Sequence, residues 1–279
     1  MPVTTRRGTV STLDEVVRTV ASWQDDSGSV QLHPGDLGWN WSLGTQQLAD
    51  ALRVWRRDGE ILAVGMADDA GLIRMAVAPS IDEDDPFALR LLAGLSDIGI
   101  VETRRGAALR ELLRRSGWVD DEPWTPLRRG LTAPVEDVGL PVEVVDEHNV
   151  RDRVEVHRAM FPGSSFTLER WRTMAAASPY RHARCLVGYG PDGAAVATVT
   201  VWSAGEGRPG LLEPLGVHRD HRGQGYGTAI TLAAAAALRE MGASSATVCT
   251  PSSNVGGVAA YVSAGFERLP DVADLRRPG

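Results

Sequence analysis

The sequence predicts an α/β protein made of two tandem units, each a mixed, mostly antiparallel central sheet flanked by helices. Three observations predict it. The 279 residues are long for one domain and comfortable for two of about 100 to 150 residues. A loop rich in Pro, Gly and acid, Thr132-Ala-Pro-Val-Glu-Asp-Val-Gly-Leu-Pro141, separates two halves and puts their boundaries at 1–135 and 141–279. Both halves alternate short apolar strands with helical runs.

In the first half, Trp55 to Arg57 with Gly59 lead into a hairpin of Ile61 to Ala67 and Leu72 to Val77. A helix follows from Pro86 to Leu95, with Pro at its first position, and another from Ala107 to Ser116 that exits through Gly117-Trp118. The segment Gly38-Trp-Asn-Trp-Ser42 reads as a loop. Its Trp39 and Trp41 either line an acceptor or interdomain surface or pack against the sheet.

In the second half, Val142 to Val145 is a strand, and Val150 to Ala177 is helical with a break at Pro162-Gly163. Arg184 to Tyr189 and Ala194 to Trp202 form a hairpin around Gly190-Pro-Asp-Gly193, where Pro presets φ and Gly tolerates positive φ. Leu211 to Val217 is an apolar strand. The run Thr228 to Met241 is dominated by alanine and leucine, the best helix formers, and stops at Gly242. Ala246 to Thr250 is a fifth strand, and Val255 to Ala264 a short helix leaving through Gly265-Phe266. Helix, small exit residue and aromatic therefore occur in both halves, the outline of a duplicated unit.

Composition excludes several classes. The net charge is −7 and no basic run exceeds Arg-Arg, so the footprint of a nucleic-acid binder is missing. All 29 basic residues are arginine, which rules out a P-loop lysine. No run approaches the roughly 18 apolar residues of a membrane span, and Met1 to Val10 lacks an apolar leader core. A cytoplasmic protein, monomer or homodimer, with no membrane or nucleic-acid partner is the expectation. Cys185 and Cys249 read as buried small hydrophobes. The acidity is confined to residues 1–140, with 15 arginines against 22 carboxylates, whereas 141–279 carries 14 of each.

The chemistry lies in Leu215-Gly-Val-His-Arg-Asp-His-Arg-Gly-Gln-Gly-Tyr-Gly227, a strand running through a glycine-rich turn into a strong helix. That order points backbone N–H groups and the positive helix end at one place, which suits a phosphate or pyrophosphate. Gly223, Gly225 and Gly227 admit a close ligand. Arg222 adds a charge. The spacing fails the dinucleotide fingerprint at Thr228.

Arg222-Gly-Gln-Gly225-Tyr-Gly227 resembles the acetyl-CoA signature Q/R-x-x-G-x-G/A of the GCN5-related N-acetyltransferases (GNAT). A second family motif, N-x-x-A-x-x-x-Y followed by G-F, is matched by Asn254, Tyr261, Gly265 and Phe266, with Gly257 in place of its alanine. The resemblance covers residues 141 to 279. It implies acetyl-CoA as cosubstrate, no metal, and a small-molecule or peptide amine as acceptor. It also implies that the backbone at Leu215 and Val217, and Arg222, Gly223, Gln224, Gly225, Tyr226, Gly227 and Thr228, hold pantetheine and pyrophosphate. Asn254 would hydrogen-bond near the cosubstrate, and Tyr261 would protonate the departing thiolate.

A phenol of pKa about 10 facing a thiolate of about 8.5 suits that donor role; the competing reading of Tyr261 is a packed aromatic. Glu213, a carboxylate inside the apolar run Leu211 to Leu215, is the candidate general base with a raised pKa, or else a rim carboxylate facing solvent. His218 and His221 lack a third ligand and read as surface residues flanking the turn. The function read is N-acetyl transfer by direct attack in a ternary complex. Its alternatives are a non-catalytic acyl-CoA-binding regulatory module and an acyltransferase using another acyl-CoA. In the first half, Val77-Ala-Pro-Ser-Ile-Asp-Glu-Asp-Asp-Pro86 stands where the phosphate turn would be. Its four carboxylates would repel a pyrophosphate, so this half is expected to be a degenerate unit without a cofactor turn.

Overall fold

The computed structural model describes residues 3–68, 71–137 and 139–278. The first half supplies β1 (Val3–Arg7), β2 (Leu52–Arg57), β3 (Glu60–Ala67), β4 (Leu72–Val77), β5 (Ile100–Thr103) and β6 (Val119–Gly130). Its helices are α1 (Leu13–Ser22), α2 (Pro34–Asn40), α3 (Thr45–Ala51), α4 (Asp85–Ala93) and α5 (Ala107–Arg115). The second half supplies β7 (Val142–Val144), β8 (Ala183–Tyr189), β9 (Ala195–Trp202), β10 (Gly210–Val217), β11 (Ser245–Pro251), β12 (Glu267–Arg268) and β13 (Val272–Arg276). Its helices are α6 (Val150–Met160), α7 (Leu168–Ala175), α8 (Tyr226–Glu240) and α9 (Val255–Ser263).

All strands join one 13-stranded sheet, ordered β1-β2-β3-β4-β5-β13-β6-β11-β10-β9-β8-β7, with β12 pairing β6 off that path. Read from either edge the order is the same up to the centre: five strands, the last two parallel, then a strand lent by the other half. β13 lies against β5, β6 lies against β11, and β6 and β13 pair with each other. The exchange ties the halves together, since Leu275, fully buried near the chain end, sits in the core of the first half. Four clusters of apolar side chains cover both faces of both half-sheets, so each face that alternates apolar residues finds helices to bury it.

The two motif-bearing helices close alike. After α5 the Trp118 N–H donates to the Leu113 carbonyl at 3.1 Å, and after α9 the Phe266 N–H donates to Tyr261 at 3.1 Å. Gly117 and Gly265 stand at φ +87° and +76°, the left-handed residue that this closing requires.

Trp39 and Trp41 are in helical backbone, not in a loop: Trp39 ends α2 and Trp41 opens a 3-10 turn. Pro34 starts α2, and His33 and Asp36 cap it reciprocally, His33 Nδ1 accepting from Gly35 and Asp36 from the His33 N–H. This short helix docks the first half on the second. A Cβ at Gly35 or Gly38 would strike the Trp202 ring, Trp39 stacks on Phe166 at 5.0 Å, and the His33 ring donates to the Pro209 carbonyl at 3.2 Å. Among the described residues no helix is long and apolar enough to cross a membrane.

Candidate active site

Two features of β10 open the sheet. Its parallel pairing with β11 covers only Gly210 with Ala246 and Leu211 with Thr247. On its other edge the register with β9 shifts between Leu212 and Leu215, so Glu213 and Pro214 together stand opposite one residue. Such a bulge bends the strand and sharpens its twist. Beyond it, the edge of Leu215, Gly216 and Val217 turned away from β9 has no strand beside it among the described residues, so its backbone groups are open to a ligand.

The glycine-rich turn follows directly. Gly223 and Gly225 take φ +77° and +84°, and a Cβ on either meets no protein atom within 4 Å. No side chain caps α8, so the first-turn N–H groups of Tyr226, Gly227 and Thr228 have no acceptor within the helix. Arg222 and Arg219 hold the turn by donating to the Met160 and Ala159 carbonyls at the end of α6, at 3.2 and 3.1 Å. Gly227 lets α8 approach α9, where its Cβ would sit 3.3 Å from Ala260.

Asn254 caps α9, its Oδ1 accepting from the Gly257 N–H at 3.1 Å and its Nδ2 donating to Thr250 at 2.9 Å. The departure at Gly257 has a reason here: a Cβ at that position would collide with the Asn254 amide. Tyr261, 7% exposed, lies on the inner side of α9 beside Phe266. Together these elements enclose a cleft of about 630 Å³ lined by Leu215, Val217, the 222–228 turn without Gln224, Asn254 and Tyr261. Gln224 is exposed. Unpaired N–H groups, a wedge between strands and room at the glycines fit an extended thioester bearing a pyrophosphate.

Residues 151–266 match the model of the acetyltransferase (GNAT) family. The matched segment, which holds the turn and α9, is similar to a GNAT domain. No curated protein matches the sequence. Solved structures match over the whole chain. One is a GCN5-related N-acetyltransferase from Sphaerobacter thermophilus, 17% identical with a TM-score of 0.57, covering 99% of this chain and 95% of that one. Another is a GNAT-family acetyltransferase from Colwellia psychrerythraea, 14% identical with a TM-score of 0.61, covering 99% of both. A third is a tandem GNAT protein from the clavulanic acid biosynthesis pathway, 15% identical with a TM-score of 0.56, covering 98% of both. The chain therefore carries the tandem GNAT fold, the fold of acyl-CoA-dependent N-acetyltransferases in general.

Glu213 is not among the residues lining the cleft and instead lines a cavity between the halves. The cavity holds about 60 Å³ and is walled by Asp36, Arg74, Glu102 and Arg104 of the first half and by Leu211, Glu213, Thr247 and Cys249 of the second. Its side chain is 35% exposed. Burial raises the Glu213 pKa, opposed by Arg74 at 3.9 Å and helped by Glu102 and Asp68. Trp202 pins the bulge by donating from Nε1 to the Glu213 carbonyl at 2.7 Å. Burial, and then the Glu213 charge, push the Tyr261 phenol above its ordinary value, so it stays protonated. Tyr261 thus faces the cleft within electrostatic reach of the carboxylate at the cavity.

Cys249 is exposed into this cavity and so is not the buried hydrophobe its sequence context implies, while Cys185 is buried. Desolvation pushes the Cys249 thiol up to about 12, which makes it a poor nucleophile. His218 and His221 pack edge to face at 5.4 Å. Among the described residues no group of three or more His, Cys, Asp or Glu side chains is arranged to hold a metal ion. Sequence reasoning missed the first-half wall of the cavity. A usable signal was present, since Arg74 is a lone charge inside the apolar strand Leu72–Val77, the same feature that marks Glu213.

Proposed function

We propose that the protein is an N-acetyltransferase that binds acetyl-CoA in the cleft of unit 141–279 and moves the acetyl group to a primary amine in a ternary complex. Unit 1–135 is then a GNAT-like repeat without a cofactor turn that roofs the acceptor cavity. The observation that carries this reading is that one bulged strand lines both the cleft, with Leu215 to Val217 beside Tyr261, and the cavity, with Leu211 and Glu213.

The residues divide the reaction between them. The uncapped N–H groups of Tyr226 to Thr228 bind the pyrophosphate, and the free edge of Leu215 to Val217 holds the pantetheine amides in register. Arg222, Gly223, Gln224 and Gly225 shape the turn, and Asn254 keeps α9 capped at the rim of the cleft. Glu213, directly or through one water, takes a proton from the acceptor ammonium, whose nitrogen then attacks the thioester carbon. As the tetrahedral intermediate collapses and the C–S bond breaks, Tyr261 gives its proton to the sulfur, and the second proton leaving the nitrogen returns to the phenolate through solvent. The products are the amide and free CoA.

Native mass spectrometry of the full chain with acetyl-CoA tests the reading, with Gly225→Glu as control. One cosubstrate per chain, lost in the variant, followed by amine-dependent CoA release is the expected result. Two per chain would contradict the role given to residues 77–86, and binding without turnover on any amine would make the protein an acyl-CoA-binding regulatory module.

A further inference from the structure

The charges of the interdomain cavity define its ligand more narrowly than "an amine". Four carboxylates, Asp36, Asp68, Glu102 and Glu213, converge on the single guanidinium of Arg74, at 2.9, 3.6, 3.4 and 3.9 Å. The other arginine of the wall, Arg104, is 3% exposed and closed in an ion pair with Asp274 at 2.7 Å, its distance to Glu102 being 3.9 Å. Carboxylate therefore exceeds guanidinium, and both arginines are engaged.

The carboxylates differ in how far they are satisfied. Asp36 accepts from the His33 N–H at 2.6 Å and from Arg74 at 2.9 Å, one bond to each oxygen. Burial, with Glu213 and Glu102 adding to it, pushes Asp36 up to about 7. Glu102 and Glu213 receive no side-chain hydrogen bond from the described residues. They meet Arg74 only as ion pairs, Glu102 at Nε and Glu213 at Nη1. Glu102 is 17% exposed on the side chain and comes from β5, where it is the register partner of Arg74 on β4. Two hydrogen-bond-deficient carboxylates, Glu102 mostly buried and Glu213 partly so, thus line one cavity beside different nitrogens of one guanidinium. Buried anions in this condition call for donors that carry positive charge.

We propose that the acceptor is a small dication, a primary amine with a second cationic group a few bonds away, and that Glu102 of the first half holds that second charge while Glu213 faces the reacting nitrogen. An acceptor bearing a carboxylate would have to break the Arg74–Asp36 or Arg104–Asp274 pair to find a partner. This rests on the acetyltransferase reading for the role of Glu213, but the ligand preference can be read without turnover.

The test is calorimetric titration of the full chain, with and without CoA, using three four-carbon probes: 1,4-diaminobutane, butylamine and 4-aminobutanoate. The diamine is expected to bind at least about tenfold more tightly than the monoamine, the yield of one added charge-assisted contact. Glu102→Gln should shrink that ratio to less than about threefold, and Glu102→Asp should restore it. Equal binding of diamine and monoamine by the wild-type chain, or tightest binding of 4-aminobutanoate, overturns the proposal, and neither result depends on a variant folding. Failure of acetyl-CoA to bind would sink the acetyltransferase reading alone and leave the ranking of the probes to decide this one.

Discussion

The two halves share an outline and differ in how completely they use their own backbone. In the first, β4 and β5 stay paired over four residues, from Leu72 with Ile100 to Met75 with Thr103, and β3 pairs with β4 without a bulge. In the second, the matching parallel pair stops after two residues beside a bulge. In the first, Asp84 caps α4 by accepting from the Phe87 N–H at 2.9 Å, and Asp82 accepts from the Gly106 N–H at 2.6 Å at the start of α5. In the second, α8 has no capping side chain and its turn is held open by glycines at positive φ. On the proposed reading the half that satisfies its own donors serves as a scaffold, and the half that leaves them unpaired keeps them for a ligand.

The largest effect that would break this comparison is at Gly225. Replacing it by Glu forces a side chain into left-handed backbone, a cost of roughly 1–2 kcal/mol, and puts a carboxylate where the proposed pyrophosphate would lie. Acetyl-CoA affinity measured by calorimetry should fall by at least about 1000-fold. Retained affinity would mean that the turn is not the binding element. Next is Tyr261→Phe, expected to lower kcat by about 100-fold or more while leaving the Kd for acetyl-CoA near the wild-type value. A parallel rise in Kd would assign Tyr261 to packing against Phe266 instead of to proton donation.

The exchanged strands sharpen the comparison from the side of stability. Leu275 is fully buried in the core of the first half although it belongs to β13 of the second. Leu275→Ala should cost about 2 to 5 kcal/mol in chemical unfolding, with hydrogen exchange rising first in β4 and β5 rather than around α8. Protection lost first around α8 would show that the strand serves its own half.

Glu213→Gln is expected to lower kcat/KM by about 30- to 100-fold, less than a lost proton donor if a water reaches the amine. The sign with pH follows from the raised pKa of Glu213. The base works only when ionised, so kcat/KM should climb with pH through a value above the ordinary carboxylate range, and that limb should vanish in the variant. Groups facing Glu213 that tune the limb are Arg74, Glu102 and Asp68. A wild-type profile flat between pH 5 and 8 would remove Glu213 from the role.

Much of the second half was legible because its signals are local. Hairpin turn, alanine-rich helix and glycine turn each specify backbone within a few residues, and the structure has α8 from Tyr226 to Glu240 against a reading that starts at Thr228. The first half was read less well. Residues 3–51 hold one strand and three helices that the sequence reading left unassigned, and α2 owes its place to contacts with Trp202 and Phe166, more than 100 residues away. Long β6 contains Pro123 and Pro126, which argue against a central strand, yet it sits between β11 and β13. No periodicity reports that each half lends its last strand to the other. For the same reason the cavity stayed hidden, since Glu102, Arg74 and Glu213 meet only after the halves pack.

The smallest expected effect tests what the acidic stretch of the first half does. Asp84 caps α4 and pairs with Arg57 at 2.8 Å, and the bond to Arg57, then that to Phe87, hold its carboxyl below the usual range. Asp84→Ala should therefore cost about 1 kcal/mol of stability, mainly the lost cap, since a half-exposed ion pair adds little. A lowered carboxylate contributes above its unfolded pKa and loses that contribution as pH falls through the folded one, so the wild-type advantage over the variant should shrink below pH 4. Acetyl-CoA affinity should not change. If the variant instead gained a second acetyl-CoA by native mass spectrometry, the acids would be blocking a competent site, and the first half would be a masked binding unit and not a scaffold.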